Sequence, residues 1–239
     1  MSKNDALQRI RRFFKATATK AVDGGVAVTL DGRQPKTPAG AALVLPTQAA
    51  ADLIAAEWNG QTEWIEFGAM PATRHAFTAI DRVRLVRAET AAELARFAGS
   101  DLLCYFATDP KALVERQHRL WGPVLDWAED DLGLLFVRGE GVVYQPQPPE
   151  TLKRAEALAL ELNDFELSGL AWAGALLSST VLAFALQKGR VGGEEAFELS
   201  RLDEAFQNEL WGEDAEAAER SASMRVEAMM LERWFAALR

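Results

Sequence analysis

The chain has 239 residues, 49% hydrophobic and 26% charged, with a formal net charge of −9. That length holds one large domain or two modest ones, and the composition excludes a disordered chain. The negative balance disfavours a general nucleic-acid binder, because phosphates need a basic surface; it serves solubility and would suit a basic or mixed partner surface.

The first third reads as strands and turns. Ala16-Thr17-Ala18-Thr19 leads through Asp23-Gly24-Gly25 to Val26-Ala27-Val28-Thr29-Leu30, a hairpin pattern in which glycine supplies the positive φ of a tight turn. Asp31-Gly32-Arg33 makes a second turn, Pro35 to Gly40 is extended, and Leu43-Val44-Leu45 is a short strand. Thr47 caps a helix over Gln48 to Asn59, with Gly60 just past its end. Trp64 to Phe67 is another short strand.

From about Pro71 the periodicity turns helical. Ala72 to Ala98 reads as one helix, with Phe77, Ile80, Val83, Val86, Leu94 and Phe97 at helical spacing. Asp109-Pro110 opens a helix to Trp127, with Pro123 as a kink or an early break. Gly133 to Gln147 is irregular, with room for a β segment at Gly141 to Tyr144. Pro148-Pro149-Glu150 opens a helix to about Asn163. Leu167 to Lys188 reads as one very apolar helix, Glu194 to Leu210 as the next after Gly192-Gly193, and Glu213 to Leu238 as the last. The expected fold class is therefore α+β: a small β-rich α+β domain over residues 1–80, then an all-α helical bundle over 81–239.

Motifs for chemistry are scarce. No phosphate-binding glycine loop and no zinc spacing occurs, and the two histidines, His75 and His118, are too few for a typical metal site. The single cysteine, Cys104, sits between Leu102-Leu103 and Tyr105-Phe106, which reads as a buried thiol in a reducing compartment. Ser178-Ser179-Thr180 reads as small polar residues within a helix, bonding back to the preceding turn or permitting close helix packing. No apolar run reaches transmembrane length, and Met1 to Lys15, despite Arg9, Arg11 and Arg12, lacks the pattern of a secretory signal; a cytoplasmic bacterial protein is expected. Glu195, Glu198 and Leu199, then Leu202, Phe206 and Leu210, fall on overlapping faces, either a wetted amphipathic helix or an acidic docking edge beside an apolar strip. Among seven tryptophans, Trp58 stands out at the end of the first domain's long helix; core packing is its default role.

Ordered pieces then accumulate: Arg12-Phe13-Phe14-Lys15, Leu30-Asp31-Gly32-Arg33, Lys36-Thr37-Pro38, Leu45-Pro46-Thr47, Ala56-Glu57-Trp58, Met70-Pro71 and Thr78-Ala79-Ile80-Asp81. Asp101 to Tyr105, Arg116-Gln117, Trp121-Gly122-Pro123, Leu125-Asp126-Trp127, Gly189-Arg190, Arg201 to Glu204, and Gln207 with Trp211-Gly212 follow. In this order and spacing the chain resembles the Atp-twelve family of ATP synthase assembly chaperones. The resemblance implies a protein that binds newly made alpha subunit of an F-type ATP synthase and keeps it from aggregating until beta subunit arrives. It implies no cofactor, no catalysis and no membrane insertion, a monomer when free, and a mitochondrial matrix location for eukaryotic relatives. It also implies partner-binding roles for Trp58, in the Glu-Trp motif, and for Asp203 with Glu204, where Asp203 stands at a position that is often Glu in relatives.

Two other readings compete. One is a small-molecule hydrolase or transferase using carboxylates such as Glu57, Asp81 and Asp101, which would need paired groups in one pocket. The other is a permanent structural subunit. For Asp203, a salt bridge with Arg201 is the structural rival to partner contact.

Overall fold

A computed structural model describes residues 10–141, 143–212 and 214–239. The expectations for the first nine residues, for Val142 and for Glu213 lie outside the described residues. The chain divides into two compact units, one running to Leu85 and taking in Ala236–Arg239, the other spanning Val86–Phe235.

In the first unit, β1 (Ile10–Arg11) is followed by β2 (Thr17–Val22) and β3 (Gly25–Leu30), which form the expected hairpin with Val22 opposite Gly25. Gly24 takes a φ of 81° in its two-residue turn. A second tight turn places Asp31 and Gly32 at φ 48° and 78°. The strain at Asp31 is offset by its carboxylate, which accepts N–H bonds from Lys15 at 3.1 Å and Ala16 at 2.8 Å. These bonds hold its pKa below the usual range. Strand β4 (Val44–Leu45) pairs antiparallel with β3. Thr47 caps α1 (Gln48–Asn59) by accepting from the Ala50 N–H at 3.1 Å. Its hydroxyl donates to the Ala237 carbonyl at 2.5 Å, tying down the chain's end. Strand β5 (Trp64–Ile65) pairs antiparallel with β1.

Helix α2 (Pro71–Asp81) begins with no cap of its own. Its free N–H groups are met by Glu57 of α1, which accepts from Ala72 N, Thr73 N and the Thr73 hydroxyl at 2.8, 2.8 and 2.7 Å. At the far end, Asp81 accepts from the Thr37 hydroxyl at 2.5 Å and the Ala39 N–H at 3.0 Å. The chain stops being helical there. The single helix expected over Ala72 to Ala98 is two, α2 and α3 (Arg87–Ala98), separated by a 3₁₀ turn at Val83–Leu85. A tertiary anchor at Asp81 overrides the continuous apolar period.

The second unit is helical apart from a two-residue parallel pair, β6 (Tyr105–Phe106) and β7 (Gly139–Glu140). It is therefore not purely α, and the strand lies just before the Gly141 to Tyr144 position expected for it. Helix α4 (Lys111–Leu132) runs through Pro123 and five residues past Trp127, ending only at Gly133, whose φ is 70°. Proline at this position removes one ladder bond without ending the helix.

After α5 (Pro149–Glu161), the apolar run expected as one helix breaks into α6 (Asp164–Leu177) and α7 (Thr180–Lys188). Ser178 turns left-handed at φ 53°, and Ser179 caps α7 by accepting from the Leu182 N–H at 3.0 Å. The serines thus break the helix instead of bonding back within it. Asp101, fully buried, fixes the break: it accepts from the Ser179 hydroxyl at 2.7 Å, Val181 N at 3.0 Å and Leu103 N at 3.1 Å. Every residue of α7 from Thr180 to Gln187 is buried.

The helix expected over Glu194 to Leu210 is likewise two, α8 (Gly193–Ser200) and α9 (Leu202–Trp211), divided at Arg201. The last helix, α10, spans Ala215–Leu238. Gly193 is more than a spacer. A methyl group there would stand 2.5 Å from the Ala228 carbonyl, so only glycine lets α8 approach α10. Glu232 completes the contact by accepting the Gly193 N–H at 2.7 Å.

His75, buried in α2, gives this fold a pH signature. Burial, then the charge of Arg74, pushes its pKa down from 6.5 to about 4. Between those values the unfolded chain binds a proton that the folded chain does not. Stability is therefore lost as pH falls through the window, by up to about 3 kcal/mol. Glu57, raised by burial, acts in the opposite sense above its ordinary value. The His75 share is isolated by urea unfolding of wild type and His75→Phe: their stability difference should shift against wild type between about pH 6.5 and about pH 4. Parallel curves would contradict it.

Candidate docking surface

Asp203 and Glu204 open α9. Arg201, just before them, pairs with Glu204 at 2.7 Å and not with Asp203. Asp203 instead accepts from Nε2 of Gln117 at 2.7 Å. Gln117 is fully buried on α4, and its Oε1 accepts the Ala107 N–H at 2.7 Å, so one amide ties α9 to the segment after β6. One turn further along α4, Trp121 donates to the Leu199 carbonyl at 2.9 Å. Partial burial, and then the charge of Glu204, push the Asp203 carboxyl up, while the Gln117 bond works against them. The carboxylate is thus presented in a fixed direction and half in solvent.

The next turn of α9 continues outward. Arg116 lies over the Phe206 ring at 5.1 Å and grips Glu209 with two bonds of 2.7 and 2.9 Å. Beyond it Leu210 is 57% exposed and Trp211 78% exposed, and Gly212 at φ 87° ends the helix. Helical spacing groups Leu210 with Leu202 and Phe206, but only those two are buried. The helix outruns the core, and its last apolar residues face solvent. Their exposure is the feature that spacing alone missed; the Trp211-Gly212 motif was the available signal.

Trp58 takes the core position that is its default reading from sequence. It is 4% exposed, edge-on to Phe14 at 5.8 Å and to Phe67 at 6.0 Å, and its indole Nε1 has no hydrogen-bond partner. What reaches the surface from this cluster is Phe13, 66% exposed and edge-on to Phe14 at 5.5 Å. Arg12 sets the pair by lying over Phe14 at 4.7 Å and donating to the Gln61 and Phe14 carbonyls.

The carboxylates named for a hydrolytic site do not form one. Glu57 binds the start of α2 and Asp81 stands at its end, accepting from Thr37 and Ala39, about 13 Å apart along the helix. Asp101 is sealed in the second unit's core. Cys104 is buried, which pushes its thiol well above the usual range, and His118 stacks on Phe106 at 4.5 Å. Among the described residues, no group of three or more His, Cys, Asp or Glu is placed to hold a metal ion, and no helix is long and apolar enough to cross a membrane.

The aromatic cluster predicts that Trp58→Arg acts through stability. A charge would enter an apolar site, at a cost of about 3 kcal/mol or more, and the thermal midpoint should drop sharply. An unchanged midpoint in a thermal scan would contradict this placement.

Comparison with known proteins adds the family. The family model described as ATP12 chaperone protein matches residues 11–129. The mitochondrial protein atp12 of Schizosaccharomyces pombe is 30% identical over 219 residues, covering 86% of this chain and 75% of its own length. The crystal structure of Atp12 from Paracoccus denitrificans superposes with a TM-score of 0.91 at 39% identity, over 96% of this chain and 98% of that one. A mutant of the same Paracoccus protein gives the same TM-score at 38% identity over the same shares. With both units of the fold and the ordered motifs in agreement, the chain belongs to the ATP12 family of chaperones.

Proposed function

We propose that this chaperone of ATP synthase assembly holds the unassembled alpha subunit of an F-type ATP synthase and releases it when beta subunit competes. The observation that carries the reading is the end of α9, where Leu210 and Trp211 stand exposed beyond the fixed carboxylate of Asp203 and the exposed Glu204. Large apolar side chains rimmed by charge are the signature of a protein-binding patch. An orphan subunit exposes the apolar surface meant for its neighbour, and covering that surface lowers the aggregating population by mass action. Release follows when the neighbour binds an overlapping surface.

In this reading Asp203 and Glu204 are direct contacts, Trp58 supports the fold from within, and no cofactor or catalytic step is needed. The free chaperone is a monomer acting in the bacterial cytoplasm, where the subunit is made.

Light scattering of isolated alpha subunit should rise more slowly with the wild-type chain present, and added beta subunit should displace the complex. Asp203→Lys reverses the fixed charge and should lower affinity for alpha subunit about tenfold or more, while moving the thermal midpoint by only a few degrees. Equal precipitation with and without the wild-type chain would remove the proposal, and wild-type affinity in a folded Asp203→Lys variant would remove Asp203 from the surface.

A further inference from the structure

The hairpin formed by the end of α9 and the start of α10 has no burial of its own. Between Phe206 and Ala228 not one described residue is buried. A helical stretch this long is marginal in water without packing, and a helix wet on all sides persists through side-chain pairs or through a partner. The side-chain pairs are present: Arg220 with Glu216 at 2.6 Å, Arg201 with Glu204 at 2.7 Å, and Arg225 with Glu194. They leave Leu210, Trp211 and Val226 bare. A groove of about 310 Å³ opens between the two helices, lined by Arg201, Glu204, Gln207, Arg220 and Met224. The Nε of Arg201 is enclosed there with no hydrogen-bond acceptor.

The charge of this region is lopsided. From Glu194 to Glu227 the sequence carries eleven carboxylates against three arginines, a net of −8 out of −9 for the whole chain. The chain shows how the face treats a guanidinium. Arg116 lies over Phe206 at 5.1 Å with Glu209 on its donors, and Arg225 lies over Phe197 at 5.8 Å with Glu194 and Glu198 beside it. In both, an aromatic ring and a carboxylate share one arginine. Trp211 offers a larger ring two residues along the chain from Glu209, yet no cation of the described residues lies over it.

We infer that the α9–α10 hairpin docks an arginine-bearing amphipathic segment of the client subunit, with a guanidinium over Trp211 and an apolar side chain against Leu210. This names the chemistry of the client contact and rests on the chaperone reading above. Cation–π contact with tryptophan is the strongest of its class, and the surplus of carboxylates steers a basic segment toward it. Salt weakens such an encounter through its rate.

The test measures association of full-length chain with isolated alpha subunit across a salt series, for wild type, Trp211→Ala, Trp211→Phe and the double variant Glu195→Lys with Glu219→Lys. All of these positions are solvent-exposed, so folding is not at stake. Trp211→Ala should weaken binding about tenfold, and Trp211→Phe should recover most of the loss. The wild-type association rate should fall steeply with salt, and the double variant should flatten that dependence. If wild type binds but Trp211→Ala binds equally well, or the rate ignores salt, the inference is overturned and the chaperone reading stands. If wild type forms no complex at any salt, the alpha-subunit reading fails and takes this one with it.

Discussion

The helical unit is organised around one buried carboxylate. Asp101 collects a hydroxyl and two backbone N–H groups at the break between α6 and α7, and it lies wholly out of solvent. Burial raises its pKa while those donors pull the other way, so the site is stable only because its donors are in place. Without it, the most apolar stretch of the chain would have no reason to turn at Ser178, and α7 could not lie buried along its whole length.

The same device recurs with different partners. Glu57 supplies the cap that α2 lacks, Asp81 receives Thr37 and Ala39, Asp31 receives Lys15 and Ala16, and Asp203 receives Gln117. Most motif pieces that carry the family likeness are these acceptors and their donors, paired across the sequence. The likeness is thus largely a record of how the backbone is held. The large apolar residues of α9 outside this scheme are few, and they sit where the helix leaves the core, at Leu210 and Trp211.

Local signals were legible where local physics decides. The two tight turns, the Thr47 cap and the bounds of α1 follow from glycine, hydroxyl and helix-former placement. Three expected helices came apart, and for two of them the deciding contact lies far along the chain. Asp81 meets Thr37 and Ser179 meets Asp101, neither of which periodicity can report. For the surface, spacing grouped Leu210 with Leu202 and Phe206 and left a wetted face and a docking edge both open. Spacing gives the side of a helix, not the point at which its neighbours end. Trp58 shows a related limit: an aromatic residue suits a core and an interface equally well, and burial, here 4% exposed, separates them.

The contact at Gly193 gives α10 a fulcrum. There the helix is gripped backbone to backbone, with Glu232 bonded across to hold it from sliding. Toward its start the helix is a cantilever, anchored mainly through arginine links. A displacement of the free start of α10 therefore meets its first backbone contact at that pivot, where α8 is packed.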